Sequence, residues 1–177
     1  HLAKAGFDVC ALHGDLEQRD RDEAMVRFQN GSVRVLVATD VAARGLDVSD
    51  LPLVLSYELA HQADVHVHRV GRTGRAGKDG RALALVSPAE IGRVAAIEQQ
   101  MNMTAQWQRL DLNAIKLNPL KAVNKTLVID AGRKDKLRPG DILGALTAKS
   151  VIDGKQVGKI ALFDTRSYVA IQRPLAE

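Results

Sequence analysis

Three arginines spaced three residues apart and separated by glycines make up the segment of this sequence richest in potential chemistry, HRVGRTGRAG at residues 68–77. Residues three apart on a helical turn share a face, so Arg69, Arg72 and Arg75 would present their guanidinium groups to one side. Guanidinium forks match phosphate oxygens, and glycines let the backbone approach a ligand closely. The segment therefore predicts a phosphate site where an arginine can stabilise charge developing at a γ-phosphate; a solvated basic loop is the alternative.

A second candidate site, TDVAARGLD at residues 39–47, directly follows an apolar run at 33–38. Ligand groups collect beyond the carboxyl ends of parallel strands. Thr39 can offer a hydroxyl and a backbone amide to a phosphate, and Asp47 can accept from a ribose hydroxyl. Thr39 is also a typical helix N-cap, and both roles are compatible because they use different atoms. Arg44 either serves the same surface or pairs with a local carboxylate.

A third candidate site, HGDLEQRDR at residues 13–21, combines a glycine with the start of a predicted helix. Gly14 leaves backbone amides free near the positive end of the helix dipole, which favours an anion. Gln18 and Arg21, three apart, share a face of that helix. An ordinary charged helix surface explains the same residues, and His13 is more typical of a core or capping histidine than of a base.

The first two thirds of the chain alternate short apolar runs with helical patterns. Strands are predicted at 33–38, 51–57 and 82–87, and helices at 16–30, at 64–70 and from Ser87 onward. Ser87 begins its helix as an N-cap, with proline in the first turn and Glu90 completing a capping box. This alternation predicts an α/β fold, with a parallel sheet and helices on both faces.

The tail has a different pattern and is basic. Strands at 126–130, 158–163 and 167–171 with a helix at 139–148 predict a small split β-α-β domain that stops before its last helix and strand. We therefore predict a first domain over 1–108, a linker over 109–123 and a second domain over 124–177. The first 105 residues carry 12 Lys/Arg and 14 Asp/Glu, and the rest carry 13 and 7. A basic tail favours a polyanionic partner, although a solvated basic face is the alternative.

Several functional classes are excluded or disfavoured by composition. The sequence has no run of about 18 apolar residues, so no membrane-spanning helix is expected. A single cysteine, Cys10, can form neither an internal disulfide nor a metal cage, which favours a reducing, cytoplasmic setting. The chain starts at His1, and residues 2–6 resemble a helix end with a glycine stop, so we expect an internal fragment of a longer protein.

Taken together, the motifs resemble the second RecA-like domain of DEAD-box RNA helicases. The resemblance covers roughly residues 1–105 and rests on four motifs in order: HGD at 13–15, Gln18-x-x-Arg21, TDVAARGLD at 39–47 and HRVGRTGR at 68–75. The tail, through KLRPGDILGAL at 136–146 and VGKI at 157–160, resembles the RNA-binding domain of the DbpA subgroup. The fold implied is a RecA-like sheet followed by a truncated RRM-like domain.

The resemblance implies a role for each matching residue. Arg72 and Arg75 would contact the γ-phosphate of ATP, with Arg75 as the arginine finger, and Asp47 would bind the ribose. His68 and Arg69 would couple nucleotide to RNA. The RNA backbone would be held by the residues Gly14, Arg21 and Thr39, with Gln18 and Arg44 ordering that surface. In the tail, where aromatic residues are few, the charge pattern favours RNA binding through lysines and arginines, namely Lys125, Arg133, Lys134, Lys136 and Arg138. The subgroup implies a hairpin of large-subunit ribosomal RNA as the partner and a role in ribosome assembly.

Two hallmarks of a complete helicase are absent from these 177 residues: a G-x-x-x-x-G-K-[ST] phosphate loop and an Asp-Glu-Ala-Asp tetrad. The ligands of the Mg²⁺ that accompanies ATP are expected in an amino-terminal RecA-like domain outside this chain, and no metal site is predicted within it. The chain alone is therefore predicted not to hydrolyse ATP. Two alternatives stay open: an RNA-binding module without turnover, and a DEAD-box helicase directed to a different RNA.

Overall fold

A computed structural model of the chain describes residues 1–43, 48–74, 79–111, 113, 116, 118–148 and 152–176. The chain divides into two compact units, residues 1–44 together with 116–177, and residues 45–115. Each unit is described by itself. Among the described residues, no helix has the length and apolar character needed to cross a bilayer.

The first unit begins with two parallel strands joined through a helix. Strand β1 (Val9–Leu12) pairs with β2 (Val35–Ala38) from Val9↔Val35 to Leu12↔Ala38, so both strands end at the same edge. Helix α1 (Gln18–Gln29) packs on β1, and the Cys10 thiol donates to the Ala24 carbonyl at 3.7 Å. A short helix, α2 (Asp40–Ala43), follows β2.

The tail domain belongs to the same unit, and its elements are β5 (Asn124–Ile129), α5 (Pro139–Thr147), β6 (Val157–Leu162) and β7 (Ser167–Gln172). The three strands form an antiparallel sheet in the order β5-β7-β6. β7 is central, and its residues from Ser167 to Ile171 are all buried. α5 packs against β6. The β-α-β-β order predicted from the sequence is confirmed.

The second unit is also α/β. Strand β3 (Leu53–Ser56) pairs in parallel with β4 (Arg81–Ala84), and helices α3 (Ala63–Val70) and α4 (Ile91–Met101) pack together. Leu59, Val94 and Ile97 form its buried cluster. The start of α4 is fixed as the sequence predicts, because the Ser87 side chain and the Glu90 carboxylate form a capping box ahead of the helix.

The sequence patterns located most elements to within a few residues, and the parallel pairing confirms the predicted α/β class. One detail differs, because strand β1 was not predicted. At residues 2–6 the hydrogen bonds are those of the predicted glycine stop: the Ala5 amide donates to the His1 carbonyl, and the Gly6 and Phe7 amides donate to the Ala3 and Leu2 carbonyls. Gly6 has a φ of +87°, the left-handed conformation that glycine adopts without steric cost.

Candidate nucleic-acid interface

The shared carboxyl edge of β1 and β2 brings Gly14 and Thr39 to one side of the sheet. The Thr39 amide donates to the Leu12 carbonyl at 3.2 Å, which ties the two strand ends together. Gly14 is exposed, and a Cβ there would meet nothing within 4 Å. Neither crowding nor a positive φ explains a glycine at this position, so its lack of a side chain leaves open space for a ligand to approach the backbone.

Thr39 fills the capping role that its sequence position suggests and keeps capacity for a second one. The Thr39 hydroxyl accepts from the Ala42 amide at 3.4 Å, and the Thr39 carbonyl accepts from the Ala43 amide at 2.8 Å. A hydroxyl that accepts through its oxygen still carries a proton to donate. Thr39 can therefore cap α2 and donate to a phosphate oxygen at the same time.

Gln18 and Arg21 are both engaged locally at the start of α1. The Gln18 amide donates to an Asp22 carboxylate oxygen at 2.7 Å, and the Arg21 guanidinium donates to the His13 carbonyl at 3.4 Å. His13 in turn lies 3.6 Å from the Asp15 carboxylate. The Arg21 bond holds the loop between β1 and α1 against the helix beside Gly14, whereas the Gln18 bond lies within α1.

The arginine motif lies at the end of α3, in the second unit. His68 is exposed, and the Arg69 guanidinium donates to the Glu58 carbonyl at 2.7 Å. Arg72 is half-buried in the turn after the helix, where its amide donates to the Arg69 carbonyl. Three predicted site residues, Arg44, Asp47 and Arg75, lie outside the described residues.

His66 on α3 is a buried polar group that the sequence did not single out. Its Nδ1 atom is buried and has no hydrogen-bond partner among the described residues. Burial, aided by the charge of Arg69, lowers the pKa of this imidazole. In the part of the chain that the structure describes, no group of three or more His, Cys, Asp or Glu side chains could hold a metal ion.

The tail cations Lys134, Lys136 and Arg138 lie together in the loop between β5 and α5, and all three are exposed. The loop is held against the turn between β6 and β7, because the amides of Arg133 and Lys134 donate to the carbonyls of Phe163 and Asp164, both at 2.9 Å. Only glycine fits at the base of this loop, since a Cβ on Gly132 would overlap the Phe163 carbonyl oxygen and lie 2.6 Å from that of Asp164.

Helix α1 covers one face of the tail sheet. Asn30, which ends the helix, donates to the Thr126 hydroxyl at 2.9 Å and accepts from the Asn124 side chain at 2.7 Å through its carbonyl. Thr126 pairs with Ala170 across the sheet, and alternate residues share a face, so Tyr168 lies on this face too. Tyr168 is only 1% exposed. Its ring therefore offers no stacking surface to RNA.

An ion pair adds to the contact between the first strand region and the tail. The Asp8 carboxylate accepts from the Arg173 guanidinium at 2.7 Å and from the Ala122 amide at 2.6 Å. These bonds, the Arg173 one first, lower the pKa of Asp8 against the opposing effect of burial. Sequence reasoning missed Asp8, Arg173 and Asn30. Only the 4-3-4 spacing of Arg19, Glu23, Val26 and Asn30, which places them on one stripe of α1, could have indicated a second packing face.

Two family models match the chain. A model described as the helicase conserved C-terminal domain matches residues 1–77, and one described as the DbpA RNA binding domain matches residues 126–177. Among solved structures, the Escherichia coli DEAD-box protein SrmB is 35% identical with a TM-score of 0.59, over 68% of this chain and 71% of that chain. A DEAD box protein from Methanococcus jannaschii is 41% identical with a TM-score of 0.54, over 58% of this chain and 28% of that chain.

The fold, the motifs and the matching family models together define the class of protein: a carboxy-terminal RecA-like helicase domain followed by a small RNA-binding domain. The ATP-dependent RNA helicase DbpA of Escherichia coli (strain K12) is 50% identical over 99% of this chain, and that of Bacillus subtilis (strain 168) is 32% identical over 96%. The chain spans 38% and 40% of the lengths of these two relatives. The chain belongs to the DbpA family of DEAD-box RNA helicases.

Proposed function

We propose that the intact protein is an ATP-dependent RNA helicase of the cytoplasm that acts on large-subunit ribosomal RNA during ribosome assembly. This chain would supply three parts of that machine: a surface for the RNA backbone, the arginine finger and the domain that selects the RNA. The proposal draws on membership of the DbpA family and on the two curated relatives, which are named as ATP-dependent RNA helicases.

The observation that carries the RNA-binding part is the pairing of Gly14 and Thr39 at one edge of the β1–β2 sheet. An open glycine backbone and a hydroxyl beside it can hydrogen-bond phosphate and ribose oxygens, which every nucleotide has. Such contacts position RNA without reading its sequence. Arg21, which holds the adjacent loop, would also contact the RNA backbone, and Gln18 and Arg44 would order this surface.

The nucleotide part rests on the arginine motif. Guanidinium groups are the donors that suit phosphate oxygens, so the motif fits ATP chemically. Arg72 and Arg75 would bind the γ-phosphate, Asp47 would accept from the ribose, and His68 and Arg69 would link this site to RNA. ATP, with Mg²⁺ held by ligands on another domain, supplies the phosphoanhydride bond whose cleavage is coupled to RNA release.

RNA selection is assigned to the tail. Because α1 covers one face of its sheet and Tyr168 is buried, the exposed cations Lys134, Lys136 and Arg138 are its best RNA ligands. Guanidinium and ammonium groups on a loop suit a folded RNA hairpin, whose phosphates follow a defined shape.

The catalytic part is tested in the full-length protein by the substitution Arg75→Ala. Loss of an arginine finger is expected to lower RNA-stimulated ATP hydrolysis by about 10³-fold or more, with RNA binding retained. Arg81→Ala, an exposed arginine on β4, is the matched control and should leave hydrolysis unchanged. Hydrolysis that survives Arg75→Ala would contradict the assigned role.

The choice of RNA is tested by titrating the chain with a hairpin of large-subunit ribosomal RNA and with a scrambled hairpin at the same salt concentration. Tighter binding of the ribosomal hairpin, lost in a Lys134→Ala, Lys136→Ala, Arg138→Ala variant, is expected. Equal affinity for the two hairpins would favour a helicase with a different RNA target.

A further inference from the structure

A cleft of about 380 Å³ lies within the first unit, between helix α1 and the tail domain. Arg19 and Asp22 of α1 line one side. The 3₁₀ turn after β5 contributes Arg133, and the turn between β6 and β7 contributes Phe163 and Asp164. Its volume falls in the range of pockets that hold small ligands.

Among the described residues that line the cleft, some charged side chains have an ion-pair partner and others do not. Arg166 is paired with Asp130 and hydrogen-bonds the Tyr168 hydroxyl oxygen, and the Asp164 carboxylate lies 3.6 Å from the Lys134 ammonium. One oxygen of Asp22 accepts from Gln18. By contrast, within the described ranges no carboxylate pairs with the guanidinium group of either Arg19 or Arg133, and both residues are exposed.

Arg19 of α1 and Arg133 of the tail line the same cleft, so an anion bound there could accept hydrogen bonds from both guanidinium groups. Arginine forks bind phosphate oxygens in bidentate geometry. Phe163, half-buried in the wall and packed edge-on against Tyr168 at 5.6 Å between ring centroids, gives a base a flat apolar neighbour. Aromatic side chains that stack bases tolerate any sequence. Phosphate-binding and base-packing groups thus meet in one cavity.

The surroundings favour a polymer over a free nucleotide. Arg133 in the cleft begins the loop that continues through Lys134 and Lys136 to Arg138. A strand that leaves the cleft therefore has further cations beside it, whereas a mononucleotide would use only the two arginines. The same row of charges is the surface assigned above to RNA.

We propose that this cleft binds one nucleotide of single-stranded RNA, with its phosphate between Arg19 and Arg133 and its base against Phe163. The site rests on the proposed RNA-binding function and adds to it a contact that the helicase domain and the tail make together. RNA in this cleft would bridge the two domains.

The test compares the affinity of the chain for a single-stranded RNA of ten nucleotides with that of the variants Arg19→Ala and Arg133→Ala. Each substitution is expected to weaken binding roughly tenfold, the loss typical of one charge-assisted hydrogen bond. The double variant should lower the slope of log affinity against log salt by about 0.7, because the one phosphate that the two arginines share is no longer neutralised, and each single variant should lower it by less. The double variant should lose less than the product of the two single losses, since both groups hold one phosphate.

Arg34→Ala is the matched control, because Arg34 is exposed in the same unit and does not line the cleft. It should leave affinity within about twofold. If the chain binds RNA and loses binding on Lys134→Ala with Lys136→Ala, yet is unaffected by Arg19→Ala and Arg133→Ala, the cleft site is wrong while the proposed function stands. If the unaltered chain binds no RNA, both are wrong.

A second measurement is independent of how the variants fold. In the unaltered chain, titration with the RNA should shift the backbone amide resonances of Thr165 and Arg166, which line the cleft. AMP at the same concentration should shift them far less. Equal shifts with AMP would identify a mononucleotide site, and unmoved resonances at saturating RNA would place the RNA elsewhere; either result overturns the proposal.

Discussion

Asn30 makes the densest set of polar contacts between α1 and the tail sheet. It is 6% exposed, and its side chain accepts from the Ser32 amide and donates to Thr126, whose hydroxyl donates to Ser32 in turn. A buried polar network of this kind fixes one arrangement of its members, because a displaced member would leave partners unsatisfied. A few such residues therefore define the contact at atomic precision.

Asp8 makes the stability of the first unit sensitive to acid. Its folded-state pKa is lowered, so its contribution is present above about pH 4 and is lost as pH falls through the lower folded value. Asp8→Asn is expected to reduce the free energy of unfolding by about 2 kcal/mol at pH 7 and to flatten its fall between pH 5 and pH 3. Urea denaturation at several pH values measures both.

The control for Asp8→Asn is Asp15→Asn, because the Asp15 side chain is 99% exposed. It should change the free energy of unfolding by less than about 0.5 kcal/mol at either pH. An Asp8→Asn variant with the same pH dependence as the unaltered chain would show that the Asp8–Arg173 pair contributes nothing to acid sensitivity.

Gly132 supports the loop that carries Lys134, Lys136 and Arg138 by its lack of a side chain. A Cβ there would overlap backbone carbonyls, which cannot move aside as a flexible side chain can, so Gly132→Ala is expected to destabilise the chain by about 1–3 kcal/mol. Gly140→Ala in α5 is the control, since a Cβ there meets nothing within 4 Å and alanine favours a helix by about 0.5–1 kcal/mol. Thermal denaturation of both variants and of the unaltered chain measures the difference in melting temperature. Equal melting temperatures would mean that the loop relaxes without cost.

Among the elements, α1 packs against strands of two different sheets, β1 of the parallel pair and β7 of the tail sheet. Ala24 lies against β1, where Cys10 donates to its carbonyl, while Asn30 bonds the tail sheet. Burial raises the pKa of Tyr168, and the charges of Glu23 and Arg19, which lie on the same stripe of α1 as Asn30, also act on it. One amphipathic helix thus contributes to two sheets, and its sequence has to satisfy both.

Two buried residues of α1 test how much this helix contributes to stability. Val26→Ala removes two buried methyl groups, and Asn30→Ala leaves the Thr126 hydroxyl and the Ser32 amide short of a partner, so each is expected to cost about 2 kcal/mol in the free energy of unfolding. Arg27→Ala, whose exposed ion pair with Glu23 spans 3.6 Å, should cost at most about 0.5 kcal/mol. Chemical denaturation measures the free energy of unfolding of each variant. If Val26→Ala and Asn30→Ala cost no more than Arg27→Ala, α1 does not stabilise the tail.

Sequence patterns located the helices because capping and periodicity are local signals. Ser87 and Glu90 gave the start of α4 this way. Strand β1 was missed because VCAL is short and its apolar run is not bounded by turn residues on both sides. The contact of α1 with the tail was missed for a different reason: Asn30 and Thr126 are 96 residues apart, and no local pattern encodes their meeting. Motifs identified the site residues by type, but their hydrogen-bond partners follow only from the fold.

For the whole molecule, the motifs that ATP hydrolysis requires are divided between this chain and the rest of the full-length protein, which has a direct consequence for the rate of hydrolysis. The 177 residues carry an arginine motif but neither a phosphate loop nor an Asp-Glu-Ala-Asp tetrad. The purified chain is therefore expected to show no ATP hydrolysis above background, with or without RNA, in a phosphate-release assay. The full-length protein under the same conditions is the control. RNA-stimulated hydrolysis by the chain, removed by Arg75→Ala, would contradict the division.

The burial of β7 on both sides constrains how this chain can diverge over evolution. A strand with one solvent-exposed face can accept new side chains there at little cost. In β7, however, Tyr168 and Ala170 lie on the face covered by α1, while Val169 and Ile171 face the interior of their own domain. A change of volume at any of these positions demands a compensating change in a segment more than a hundred residues earlier or in the domain itself. Helix α1 and strand β7 should therefore drift together, as a coevolving pair.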